Sequence, residues 1–472
     1  MSTSAQAYCD AASARCVERS APALHPRLVL VTSVLASSLA FVDGSVVNVA
    51  LPAIGSSLSA RADALQWTVN AYLLPLSAML LLGGGAGDRF GRRRLLVWGT
   101  TLFALASLGC ALAPRLGLLL AARFLQGIGG AMLMPNSLAI LGQTFTREQK
   151  GRAVGIWAAA SGIAGALGPV LGGWLIDLSS WRAIFLINLP IAGAAVAMAL
   201  RYVPRDRSGQ AGSLDVAGAV LVTAGLGVLT WSLTLAGGPA GFTRAAGLLG
   251  LGAIVLLVAF ILVEARRGDQ ALAPMVLFTT PTLVGLNLLT LLLYGALGAL
   301  LVLVPYVLIE ALHYSAVQAG AALLPLPFVM VLISPFAGSL AERVGARMPI
   351  AIGAGVVGLG LLLTLRVGPS GSYWTGLLPA VTVVALGLSA AVAPLTAAVL
   401  GGVEARYTGV ASGLNTAIAR SGGLLATALV GFVLASHEQG LLHSFHLTMA
   451  IGCGVCCGAA LCALMLVQRK SP

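Results

Sequence analysis

Three ionisable side chains stand inside stretches that are otherwise apolar: Asp43, Arg123 and Arg420. A charge at mid-bilayer costs ~3 kcal/mol or more, so such residues are functional candidates by default. An aspartate can take up a proton on one side of a membrane and release it on the other. Burial raises an acid's pKa and a neighbouring guanidinium lowers it, so an arginine on another helix can hold that exchange in a usable range. Asp43 and Arg123 fall in the central-to-outer part of their stretches, counted at ~1.5 Å per residue. Two readings stand: a proton switch, or a permanent structural ion pair. Arg420, in Asn415-Thr-Ala-Ile-Ala-Arg420-Ser-Gly-Gly, has no evident partner in the sequence. It either lines a pathway or bonds backbone carbonyls. With Asp43 ionised the three charges sum to +1, which argues against a small permanent dication as cargo. Glu310 and Asp177 fall at helix ends as boundary residues, although Glu310 could help attract a substrate.

The stretch Gly84-Gly-Ala-Gly-Asp88-Arg89-Phe-Gly91-Arg92-Arg93-Arg94 is a short basic loop between two apolar blocks. A looser copy, Gly338-Ser-Leu-Ala-Glu342-Arg343-Val-Gly345-Ala-Arg347, follows 254 positions later. A like-facing internal repeat with a charged loop at the same point of each half is a transporter signature more than an enzyme one. Ser161, Gly165, Gly168 and Gly172 recur at spacings that share one helical face, where small residues let two helices approach closely. Pro169 bends that helix. This face reads as a tight seam between the halves or as ordinary small-residue packing. Asn48, Trp67, Gln126, Asn136 and Asn415 offer polar contacts to a cavity or hydrogen bonds between helices.

The elements that position these residues are set by composition. Of 472 residues 58% are hydrophobic and 9% charged, with a mean hydropathy of +0.97. Soluble domains carry about 25% charged residues, so this chain belongs in a bilayer. Spans of roughly 20 apolar residues are expected at about 28–53, 64–86, 95–113, 117–141, 153–177, 183–200, 214–236, 245–263, 282–305, 318–341, 348–366, 374–400, 409–435 and 445–467. The fold class is therefore all-α, integral to the membrane, with fourteen transmembrane helices. With the N-terminus inside, inner segments hold 20 basic residues and outer loops 5, the asymmetry expected of cytoplasmic loops. Both chain ends are then cytoplasmic.

The chain divides into a disordered leader (1–27), a first six-helix bundle (28–200), a linker with two extra helices (201–281), a second bundle (282–467) and a tail (468–472). The net charge of +12 lies in the loops, so it does not point to nucleic acid. Cys453-x-x-Cys456-Cys457 reads as a run of small residues on a packed helix and not as a ligand set, so no metal is expected. No hydrophilic segment is long enough for a soluble catalytic domain, and no Gly-Lys-Ser/Thr follows the glycine-rich stretches.

These stretches resemble the major facilitator superfamily, specifically its fourteen-span drug:proton antiporters of the EmrB/QacA type. Phe41-Val-Asp43-Gly-Ser-Val-Val-Asn48-Val-Ala-Leu-Pro52 resembles the first-span signature, and Gly84 to Arg93 resembles the loop between spans 2 and 3. Arg123-Phe-Leu-Gln126-Gly127 resembles the fourth-span motif, and Gly168-Pro169-Val-Leu-Gly172-Gly173 the antiporter signature. Trp181, Arg182, Phe185, Asn188 and Pro190 continue the pattern. The resemblance implies two six-helix bundles plus an inserted hairpin, with spans 1, 4, 9 and 12 around a central cavity. It implies proton-coupled export of hydrophobic or amphiphilic small molecules, including drugs, by alternating access across a bacterial inner or plasma membrane. Asp43 and Arg123 would couple protons. Gly84, Asp88, Arg89, Gly91 and Arg92, with Gly338, Glu342 and Arg343, would gate the inner face. Glu342 in place of aspartate makes the second latch the weaker one.

Partners are the bilayer, small hydrophobic substrates and protons; no cofactor is expected beyond the proton gradient, and a periplasmic adaptor is not readable from sequence. The alternative is an exporter dedicated to one endogenous metabolite. A membrane-embedded sensor or enzyme would need clustered nucleophiles or metal ligands, which the sequence does not display.

Overall fold

Lipid offers no hydrogen bonds, so a spanning chain must satisfy its backbone internally, and unbroken apolar runs of about 20 residues do so as helix. The computed structural model describes residues 25–60, 62–145, 147–204, 215–236, 241–268, 271, 275–278, 280–368, 371–403, 408–435 and 440–467. Residues 1–24 of the expected leader and the expected tail lie outside these residues, and the leader's last two residues, Pro26 and Arg27, already belong to the first helix. Fourteen helical spans run in order: α1 Pro26–Leu58, α2 Ala62–Phe90, α3 Arg92–Ala111, α4 Leu116–Thr144, α5 Arg147–Leu178 and α6, which is broken into Ala183–Leu186 and Asn188–Tyr202. Then come α7 Val216–Ala236, α8 Arg244–Arg267, α9 Pro281–Glu310 and α10, broken into Ala316–Ala321 and Pro325–Val344. The last four are α11 Arg347–Leu363, α12 Leu377–Gly401, α13 Thr408–Ala435 and α14 Leu441–Leu466. Among the described residues, thirteen are long and apolar enough to cross a membrane. α13 carries Asn415 and Arg420.

Proline explains both breaks. Pro190 has no N–H for the carbonyl four residues back at Leu186, where the first piece of α6 stops, and Pro325 stands in the same relation to Ala321.

The two halves pair their helices alike. In the first, α1 packs on α5 and α6, α3 on α4 and α6, and α2 on α4; in the second, α9 packs on α13 and α14, α11 on α12 and α14, and α10 on α12. Across the divide α2 meets α13, α5 meets α10 and α1 meets α9. The α7–α8 hairpin docks through α7 on both α2 and α13, one helix from each half. Trp67 of α2 packs edge-on to Trp231 of α7 with ring centroids 6.1 Å apart.

The repeat extends to backbone detail. Gly91 ends α2 at φ 99° and Gly345 ends α10 at φ 85°, 254 positions apart, in a region that favours glycine. Two residues on, Arg93 donates to the Leu200 carbonyl at the end of α6, and Arg347 donates to the Leu464 carbonyl at the end of α14. A guanidinium at the start of a helix opposes its own dipole. Here it meets the end of a neighbouring helix, where carbonyls lack partners.

Candidate functional site

Asp43 of α1 is fully buried and Arg123 of α4 is 1% exposed. The Arg123 guanidinium donates through Nη1 to Asp43 Oδ2 and to Gln126 Oε1 at 2.7 Å. Its Nε donates to the Thr68 carbonyl of α2 at 3.0 Å. Tyr72 of α2 and Phe185 of α6 lie against its charge, with ring centroids 4.4 and 5.8 Å from Cζ, within cation–π range. Tyr72 is itself anchored by donating to the Ala40 carbonyl at 3.0 Å.

The other carboxylate oxygen is held by amides. Gln126 Nε2 donates to Asp43 Oδ1 at 2.8 Å and to Ser107 Oγ of α3 at 2.8 Å. Asn188, first residue of the second piece of α6, donates to Asp43 Oδ1 at 3.4 Å and to Ser107 Oγ at 3.3 Å. Every group reaching Asp43 is a donor, the arrangement an ionised, acceptor-only carboxylate requires. A proton arriving on Asp43 would face donors, so its uptake demands a rearrangement of Arg123 or of the two amides.

A cavity of about 470 Å³ lies between the halves. Its walls come from α1, α2, α4 and α5 on one side and α9, α12 and α13 on the other. Phe41, Gly44 and Asn48 of α1 line it, so the helix that carries the buried carboxylate also forms a cavity wall. Arg420 lines it too, with Cζ 5.5 Å from the Phe41 ring centroid. Asn415 lines it and donates to Thr290 Oγ1 at 2.7 Å and to Asn287 Oδ1 at 3.3 Å.

Of the polar residues singled out from sequence, Asn48, Asn415 and Arg420 border this cavity, and the others do not. Gln126 belongs to the Asp43 cluster. Asn136 bridges helices, donating to the Gly83 carbonyl of α2 at 2.9 Å and to Met132 at 2.7 Å. Trp67 faces the inserted hairpin, and Glu310 is the exposed last residue of α9.

On α5, three of the glycines face α1 and not the other half. A Cβ on Gly165 would touch Phe41, one on Gly168 would overlap Ser45, and one on Gly172 would overlap Val46. Gly173 alone of the motif turns to the second half, where a Cβ would overlap the Ala316 carbonyl of α10. Gly320 returns the contact against the Pro169 carbonyl, and the Val317 N–H donates to Asp177 Oδ2 at 3.2 Å. The basic stretch expected as a loop is helical apart from Gly91, whose positive φ turns the chain in a single residue between α2 and α3; Gly84 packs toward Pro135, Arg89 lies 5.6 Å from the Phe90 ring centroid, and Arg92 donates to the Ala139 carbonyl at 3.1 Å. Gly338 lies on α10 and Arg343 in its exposed last turn. The side chains of Asp88 and Glu342 lie outside the described residues.

The family model described as Major Facilitator Superfamily matches residues 33–427 and again 286–472. The chain belongs to the Major Facilitator Superfamily. Among its relatives, Multidrug resistance protein Stp of Mycobacterium tuberculosis is 32% identical, over 90% of this chain and 78% of its own length. Puromycin resistance protein pur8 of Streptomyces alboniger is 34% identical over 94% and 91%. Cephamycin export protein CmcT of Amycolatopsis lactamdurans is 35% identical over 87% and 85%. Two solved structures share the fold. A peptide transporter, POT in complex with sulfate, aligns at TM-score 0.68 and 14% identity over 94% of this chain and 96% of its own. The inward open xylose transporter XylE from E. coli aligns at TM-score 0.64 and 16% identity over 94% and 96%. This superfamily member is a multi-pass membrane protein with a transporter fold.

Part of the site is silent in the sequence: Thr68, Tyr72 and Ser107 look like ordinary helix residues, and Asn188 stands out only as part of a motif. The cavity aromatics Trp157 and Tyr294 carried no signal above the apolar background. A polar residue at a proline-induced helix break, as Asn188 is, was the one usable clue.

Proposed function

We propose that this chain exports amphiphilic small molecules, drugs among them, in exchange for protons. Asp43 is the proton carrier. One observation carries the reading: Asp43 sits fully buried in a donor-lined cluster on the helix whose adjacent residues wall the cavity between the halves. Protonation removes the charge that holds Arg123, Gln126 and Asn188, and the resulting shift of α1 reaches the cavity through Phe41, Gly44 and Asn48. A coupling of ~1.4 kcal/mol shifts a two-state equilibrium tenfold, so one buried proton suffices to bias access. The names of the relatives, for multidrug resistance, puromycin resistance and cephamycin export, support efflux as the direction. The basic loop at Gly91 is assigned to the cytoplasmic face on the distribution of arginines.

A second reading has its own support. Several relatives are named for one compound, including tetracenomycin C and methylenomycin A, which favours an exporter with a narrow range over a general multidrug pump. Accumulation of one metabolite in a deletion strain, with a narrow resistance profile, would establish it.

The coupling is tested in inverted vesicles with an imposed pH gradient. Wild type accumulates a fluorescent substrate against its gradient, whereas Asp43→Asn and Arg123→Ala lose that accumulation while the protein stays in the membrane. Full-rate pumping by both variants would sink the assignment.

A further inference from the structure

The cavity presents one formal charge, and it is positive. Among its described lining residues Arg420 is the sole ionisable acid or base, tyrosine aside. Asp43 contributes nothing to it: that carboxylate is fully buried and its oxygens are taken by Arg123, Gln126 and Asn188. Among the described residues, neither a carboxylate nor a carbonyl accepts from Arg420; its contact is with the face of Phe41. A guanidinium cannot lose its proton, and once the halves close over the cavity and water leaves, an unpaired cation becomes expensive. A second group waits on the same wall. Asn48 is 7% exposed and its amide oxygen is buried without a partner. The flanking surface is aromatic, from Phe41, Trp157 and Tyr294.

We infer that the cargo is an amphiphilic monoanion: an apolar, ring-bearing body with a carboxylate or comparable acidic head that pairs with Arg420, and a hydroxyl or amide N–H that Asn48 accepts. The cargo supplies the counter-charge the protein omits, so the cavity closes at low cost around the right molecule and at high cost when empty or holding a cation. The inference deepens the export reading and rests on it for the meaning of "cargo".

The test is equilibrium binding to the purified full-length chain, without any gradient, by tryptophan fluorescence quenching. The probes share one body: a naphthalene carboxylate, its primary amide and the matching naphthylmethyl ammonium. Wild type should bind the carboxylate about tenfold or more tighter than the amide, as a charge-assisted pair allows, and the ammonium weakest. Arg420→Gln should bring the carboxylate-to-amide ratio to about one, and Arg420→Lys should keep its sign with a smaller value. The inference is overturned if wild type fails to bind the carboxylate, if it binds carboxylate and amide alike, or if Arg420→Gln keeps the wild-type ratio. Should Arg420→Gln not fold, the wild-type series and Arg420→Lys still decide. Proton-driven export without a charge preference would defeat this inference alone. A charge preference with export indifferent to pH would defeat the proton coupling alone.

Discussion

Arg123 is bound on every side: a carboxylate, an amide oxygen, a backbone carbonyl and two aromatic faces. Removing one member of such a buried pair strands the other, at about 3–5 kcal/mol, whereas removing both charges is far less damaging. Arg123→Ala should therefore lower the melting temperature of the detergent-solubilised protein markedly, and Asp43→Asn added to it should recover most of that loss. Equal or additive losses would mean the two groups are not energetically coupled. Gln126 and Asn188 occupy the same carboxylate oxygen, so a variant at either should change proton affinity before it changes fold.

Helix by helix, the contact between α5 and α10 is the clearest candidate for a moving seal. Gly173 and Gly320 each bring backbone against backbone, leaving no room for a side chain. A β-branched residue there would hold the two helices apart at the end that also carries the Asp177 to Val317 hydrogen bond. Gly173→Val is expected to reduce transport by about tenfold or more at normal abundance, since overpacking a tight interface costs about 1–3 kcal/mol. Gly165→Ala, on the face turned to α1 where a Cβ meets Phe41 at ordinary contact distance, should be tolerated. Transport assays on both variants at matched expression check this, and a silent Gly173→Val would remove α5 from the gating scheme.

For the whole molecule, charge accounting sets the energetics. Each charge moved across the membrane exchanges ~2.3 kcal/mol per 100 mV. With one proton entering per cycle, export of a neutral molecule moves one positive charge inward, and export of a monoanion moves the equivalent of two. An interior-negative potential imposed at equal pH on proteoliposomes should therefore accelerate export of the carboxylate probe more steeply than of its amide. Identical potential dependence for the two would contradict anionic cargo.

Composition and period alone placed the helices, because unbroken apolar runs of about 20 residues, unlike the short alternating strands of a barrel, satisfy their backbone in lipid as helix. The 254-residue repeat was equally legible, since Gly91 and Gly345 are needed wherever the same turn recurs. Asp43, Arg123 and Arg420 were visible as charges without solvent. Their separation into two sites was not. Only tertiary packing decides that Asp43 and Arg123 neutralise each other inside the first bundle while Arg420 is left facing the cavity, or that three glycines of α5 grip α1 and a fourth grips α10. One-dimensional spacing reports which residues share a helical face; which neighbour that face meets depends on how helices distant in the chain are arranged around it.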